Sequence, residues 1–256
     1  MVMGVMGRIP QLVVEGDLLP EVWEASIIKL WNEGIDSFKE SYKVEEEKDV
    51  IKEASMLMVV RKPLEQPMIH MGYEGVMSLD VYVDDVIKGT KDYLIGSGYD
   101  YTYHKQLFEF EIGQTRIDQI EQIIRRLEKA SFSNRAQAIT WMPWKHHDID
   151  GPPCLQRIWC KVIDGELEMH THWRSRDAYH AAFANMFAFI HLQKIIADKL
   201  GVKVGQYVDH SDSYHIYGQH FDSVRKFLKA TETIKDKNTR WVDKTFLDRY
   251  VQSKTG

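Results

Sequence analysis

The chain of 256 residues predicts an α+β fold in one domain spanning residues 1–256. Strand and helix patterns follow one another without the regular βαβ alternation of a parallel sheet, and no proline- or glycine-rich linker divides them. Composition agrees, since 44% hydrophobic and 28% charged residues suit a globular protein with a large core.

The elements follow in order. The opening MVMGVMGRIPQL has no basic region followed by a long apolar run, so no signal peptide is expected. Residues 20–34 predict a helix in which Val22, Ile27, Ile28, Leu30 and Trp31 form one stripe that Gly34 ends. The charged stretch 43–52 reads as a solvated loop or helix face. Residues 55–60 read as a buried strand, closed by the turn-prone RKPLEQP. Helices are expected over 78–93 and 117–129, the second with Ile117, Ile120, Ile123, Ile124 and Leu127 at helical spacing. Residues 137–141 and 155–162 read as strands. Asp164-Gly165 is a hairpin signal, and 167–173 returns as the partner strand. Residues 177–200 form the longest helical pattern, with Gly201 as its C-cap. Two further strands are predicted at 202–208 and 214–217.

Charge and cysteine usage exclude several classes. A net charge of −5 leaves no basic footprint for DNA or an anionic membrane surface. The longest apolar stretch, 181–190, is broken only by Asn185 and is about half of the ~20 residues a membrane span needs. Two cysteines, Cys154 and Cys160, argue against a disulfide-stapled secreted protein and favour the cytoplasm.

Several residues have the chemistry of a site, each with a plainer alternative. Cys154 follows Pro152-Pro153 at a strand start, where a rigid turn presents a thiol or simply buries a small residue. Nucleophilic use needs positive potential, which Arg157, Arg174, Arg176 and Arg135 could supply. Arg174-Ser175-Arg176-Asp177 is a phosphate-binding junction or a helix start capped by Asp177. Asn185 sits in an apolar helix, where its amide either bonds within the core or reads a base edge, matching uracil N3–H and O4. His215 and Tyr217 share a strand face and either hold a sugar hydroxyl or satisfy each other. His170 with His172, and His146-His147-Asp148, have neither HExxH nor Cys/His zinc spacing, so no metal is expected. No GxGxxG or GxxxxGK[ST] occurs.

Taken in order, Pro-Pro-Cys, Arg-Ser-x-Asp, Phe-x-Asn and His-x-Tyr resemble the thymidylate synthase family, which includes the pyrimidine nucleotide hydroxymethylases. The stretch LQRIWCKVIDGELEMHTHWRSRDAYHAAFANMFAFIHLQKIIADKLGVKVGQYVDHSDSYHIYG carries the resemblance, with TRIDQIEQIIRRL and SNRAQAITWMPW upstream. It covers residues 103–220, leaves 1–100 divergent, and looks most like the short archaeal members. It implies a mixed twisted sheet packed by helices, with one sheet face at a homodimer interface. It further implies that Cys154 adds to C6 of the pyrimidine, that Arg174 and Ser175 bind the 5′-phosphate, and that Arg174 also faces the thiol. Asn185 would read the uracil edge, His215 and Tyr217 would hold the 3′-hydroxyl, and Asp177 would contact the base. Arg135 would reach the partner's phosphate.

The implied activity is transfer of a one-carbon unit to C5 of dUMP, giving dTMP. The donor would be methylene-tetrahydrofolate or a related reduced pterin. A C5-hydroxymethylase uses the same covalent chemistry, and a non-catalytic nucleotide- or RNA-binding homologue is the third alternative. Four departures stand out. Asn134-Arg135 replaces the usual arginine pair. The family's catalytic Glu has no clean counterpart, with Asp80, Asp84 and Asp85 as substitutes. The folate-pocket tryptophans are not evident, and DRYVQSKTG lacks the apolar closing tail. Nucleotide binding is therefore better supported than folate binding.

Overall fold

The computed structural model describes residues 8–38 and 49–255, with side chains as far as Arg249. The chain runs β1 (Gln11–Gly16), α1 (Leu19–Glu33), β2 (Ile35–Phe38), β3 (Val50–Val60), β4 (Ile69–His70), α2 (Leu79–Lys88), α3 (Tyr103–Phe108), β5 (Phe110–Ile112), β6 (Thr115–Ile117) and α4 (Gln119–Lys129). It continues with β7 (Gln137–Ile139), α5 (Pro143–His146), β8 (Leu155–Ile163), β9 (Glu166–Asp177), α6 (Ala182–Leu200), β10 (Lys203–Tyr217), α7 (Phe221–Thr233), α8 (Lys237–Arg240), β11 (Trp241–Val242) and α9 (Lys244–Thr255). This is a mixed α+β architecture, as expected.

Among the described residues, seven strands form the main sheet in the order β1-β3-β10-β9-β8-β7, with β2 also paired to β3. Pairings β1–β3 and β9–β10 are parallel, whereas β3–β10, β8–β9 and β7–β8 are antiparallel. Helix α1 buries Leu19, Val22, Trp23, Ile27 and Leu30 and packs on β3 and β1. Helix α6 has almost no polar stripe, because it is enclosed by β9, β10, α1, α2 and α4. The apolar run 181–190 is thus a buried core helix, and no helix among the described residues is long and apolar enough to cross a membrane.

Several element boundaries differ from expectation. Helix α6 begins at Ala182, five residues after Asp177, because Asp177 ends β9 and its carboxylate accepts the backbone N–H groups of Tyr179 and His180. Helix α2 stops at Lys88, where Gly89 takes φ +68°, and Asp92–Leu94 is a separate 3-10 turn. The two strands expected at 202–208 and 214–217 are one, β10, with an irregularity between Ser211 and Tyr214. Of the charged stretch 43–52, residues 50–52 open β3, while 43–48 lie outside the described residues. The hairpin at Asp164-Gly165 holds, with φ of 51° and 79° at the two positions.

A buried ion pair lies inside the sheet. Arg176 Nη1 donates to Asp209 Oδ2 at 2.9 Å, and Thr171 (2.7 Å) and the Trp173 indole (3.1 Å) donate to the same oxygen. The guanidinium also lies over the Trp173 and Tyr214 rings at 4.7 and 5.6 Å. The opposite sheet face carries half-buried Trp159, His170, His172, Val208 and His210.

Candidate active site

The site forms where the turn before β8 meets the ends of β9 and β10 and the first turns of α6. Cys154 is partly buried in that turn, and the Arg174 backbone N–H donates to its carbonyl at 2.9 Å. Arg174 bends back over the turn, with Nε donating to the Pro153 carbonyl (3.1 Å) and Nη2 to that of Pro152 (2.8 Å). This leaves Nη2 3.9 Å from the Cys154 sulfur. Prolines lack an N–H but keep their carbonyls, so Pro152-Pro153 is both a rigid turn and the anchor for the arginine. Burial pushes the Cys154 thiol up, while Arg174 and Arg176 pull it down. Cys160, fully buried in β8, is pushed up to about 12.

Two parallel strands bring the remaining polar groups together. Ser175 stands opposite Ser213, and Asp177 opposite His215. His215 is 4% exposed, and its Nδ1 faces the Ser213 hydroxyl at 3.2 Å. Its Nε2 is buried with no partner among the described residues, and burial lowers its pKa, so the ring is neutral at neutral pH. Tyr217 packs edge-on against it with centroids 4.7 Å apart. Asn185, on α6, is buried, and its Nδ2 donates to the Tyr82 hydroxyl at 2.6 Å.

Not every expected residue converges. Arg135 is exposed beside the far end of β8, where the Ala136 carbonyl accepts from Cys160, about 20 Å of strand from Cys154 at ~3.3 Å per residue. Arg157 is also exposed, near Gln137, and Arg176 is committed to Asp209. His146 is buried with its Nδ1 accepting from the Met142 N–H, whereas His147 and Asp148 are exposed. Among the described residues, His172, His210 and Asp212 form the group of metal-ligand type, on the opposite sheet face.

The residues that sequence reasoning missed are tyrosines. A cavity of about 450 Å³ beside the site is lined by Tyr82, Asp85, Lys91, Tyr99, Tyr101 and Tyr103, among others. An adjoining one of about 240 Å³ shares Tyr82 and Lys91 and includes Tyr73, His180 and Asn185. The Tyr101 hydroxyl lies against the Cys154 backbone and donates to Tyr103 at 3.5 Å. The alternation Tyr99-Asp-Tyr101-Thr-Tyr103 was the available signal. Its aromatic walls and the cavity's size suit a flat heterocycle such as a reduced pterin.

The family model described as thymidylate synthase matches residues 51–245. Three relatives, each named "Putative thymidylate synthase", are similar to the chain. The protein from Methanocaldococcus jannaschii is 33% identical over 160 residues, which is 60% of this chain and 70% of the relative. That from Methanococcoides burtonii is 27% identical over 86% of this chain and 96% of its own length. That from Methanopyrus kandleri is 28% identical over 83% and 96% respectively.

Proposed function

The chain belongs to the thymidylate synthase family, and from that premise we propose that it transfers a one-carbon unit to C5 of dUMP through a covalent adduct at Cys154. The observation that carries this reading is the Arg174 guanidinium 3.9 Å from the Cys154 sulfur, fixed there by two proline carbonyls. The same cation suits a 5′-phosphate, which the next residue, Ser175, would also contact, so substrate and thiolate share one positive group.

In the proposed reaction the Cys154 thiolate forms a bond to C6, and the C5=C6 π pair moves toward C5 and the 4-oxygen. C5 is thereby a carbon nucleophile, which an unmodified pyrimidine does not offer. Tyr99, Tyr101 and Tyr103 would hold a reduced pterin, which when bound would supply the one-carbon unit, its amine leaving that carbon, and, for a methyl product, the hydride. Loss of the C5 proton and departure of the thiolate restore the ring. Asn185 accepts from N3–H, His215 Nε2 takes the 3′-hydroxyl as its missing partner, and Tyr217 stands beside it. Asp177 orders the turn between β9 and α6, which presents Asn185 to the base.

The reading includes a homodimer. Arg135 cannot reach Cys154 of its own chain, and the sheet face carrying Trp159 and Val208 is open to a second copy.

The test is a mass spectrum of dUMP after incubation with the protein and methylene-tetrahydrofolate. A methylated product establishes synthase activity, and a hydroxymethylated one moves the assignment to the hydroxymethylase. Exchange of the C5 hydrogen with solvent is read in parallel. Cys154→Ala should lower it at least about a thousandfold, and exchange surviving in that variant would refute the covalent mechanism.

A further inference from the structure

The acidic residues expected to replace the family's glutamate are committed elsewhere. Asp80 accepts from Lys244 at 2.6 and 2.7 Å, Asp84 pairs with Lys88 at 2.8 Å, and Asp85 pairs with Thr90 and Lys91. Their helix instead sends Tyr82 to Asn185, and the two side chains line one cavity. Burial pushes the Tyr82 phenol's pKa further up, so it is a neutral hydroxyl throughout the physiological range.

A hydroxyl both donates and accepts, and a side-chain amide carries one group of each kind. In the arrangement present, Asn185 Nδ2 donates to Tyr82. Its Oδ1 is then left to accept from uracil N3–H, and the Tyr82 O–H to donate to the 4-oxygen. Rotating the amide by half a turn reverses every role. Oδ1 then accepts from Tyr82, Nδ2 donates to cytosine N3, and the phenol oxygen accepts from the 4-amino group. Each arrangement satisfies all the polar groups, so neither base leaves a buried group unpaired.

We propose that the Tyr82–Asn185 pair reads the 3,4-edge of the pyrimidine in either sense, so that the site takes cytosine as well as uracil deoxynucleotides. This rests on the nucleotide reading above and widens its substrate class. Covalent activation applies to both bases. The Cys154–C6 bond forms, the π pair passes toward C5 and the 4-substituent, C5 takes a solvent proton, and reversal with loss of the original hydrogen gives exchange.

The experiment measures dissociation constants of dUMP and dCMP by calorimetry, and deuterium incorporation at C5 of each in heavy water by NMR. The wild-type protein should bind dCMP within about tenfold of dUMP and exchange both. Tyr82→Phe, which removes the hydroxyl that meets the 4-substituent in either sense, should weaken dUMP and dCMP by a similar factor of about tenfold while leaving the deoxynucleotide of 2-pyrimidinone, which has no 4-substituent, near its wild-type affinity. A purely structural Tyr82 would weaken all three ligands alike or none of them. If the wild-type protein binds dUMP and takes dCMP a hundredfold more weakly, the proposal falls and the nucleotide reading stands. If neither nucleotide binds, both fall. The wild-type comparison decides the matter even if a variant fails to fold.

Discussion

Arg174 Nη2 lies 3.9 Å from Cys154 Sγ while donating at 2.8 Å to the Pro152 carbonyl, so the turn that presents the thiol also locks the cation facing it. Burial and the guanidinium therefore oppose each other at one sulfur. Iodoacetamide reports the balance, because it reacts with thiolate and the second cysteine, Cys160, is fully buried with its thiol at about 12. Alkylation of Cys154 should rise with pH. Removing the charge in Arg174→Gln should move the curve to higher pH, and an unmoved curve would show that Arg174 does not act on the thiol.

A second buried network ties the C-terminal part of the chain to α1. The Glu24 carboxylate accepts from His70 (2.8 Å), from Arg240 (2.9 and 2.8 Å) and from the Trp241 indole (3.2 Å). Burial alone would raise the Glu24 pKa, but hydrogen bonds from His70 and Arg240 outweigh it and hold it at about 2, below the usual 4.5. A depressed carboxyl pKa gives stability that is full above the unfolded value and lost as pH falls through the folded one. Glu24→Gln should cost about 3–5 kcal/mol near neutrality, since it leaves Arg240 buried without its anion. In urea titrations that gap should shrink between pH 4.5 and pH 2. A gap independent of pH would mean that the charge is not what Glu24 contributes.

The helices read well from the sequence where one face is apolar. The stripe Ile120, Ile123, Ile124 and Leu127 gives α4, and Val22 to Leu30 gives most of α1. Legibility failed where polar residues enter the core. Asp209 and Ser211 are fully buried in β10, yet the polar run between the two strands expected at 202–208 and 214–217 shows no buried character until Arg176, 33 residues away, supplies the partner of Asp209. Strand β1 alternates in burial at every residue, but its sequence does not show it, because the apolar Val13 stands on the exposed face between buried Leu12 and Val14. In the site, Cys154, Arg174, Asn185 and His215 were named from ordered motifs. Tyr82 was not, since its meaning lies in a hydrogen bond spanning 103 residues that no local pattern encodes.

The Arg176–Asp209 pair tests whether a buried charge is there for stability. Arg176 and Asp209 side chains are 1% and 0% exposed. Asp209→Asn should destabilise by about 3–5 kcal/mol by stranding the guanidinium, whereas replacing both with apolar residues of similar volume should be markedly milder than that. Additive losses in the double variant would refute the stranded-charge account. Removing Arg176 also takes away positive potential that pulls the thiol down, so the double variant should alkylate more slowly at a given pH.

His215 shows the opposite trade. Its buried Nε2 has no partner among the described residues, and a buried polar atom left unpaired costs about 1–3 kcal/mol. A ligand hydroxyl would supply the missing group. His215→Phe deletes the orphan together with the Nδ1 contact to Ser213, so the two changes offset and stability should stay within about 1 kcal/mol of wild type. Nucleotide affinity should nevertheless fall by about tenfold, the value of one lost hydrogen bond near 1.4 kcal/mol. The loss should be confined to ligands with a 3′-hydroxyl, so the variant and wild type should bind 2′,3′-dideoxyuridine monophosphate alike. Equal weakening for both ligands would place His215 outside sugar recognition. A large drop in stability would mean that its imidazole is held for the fold and not for the nucleotide.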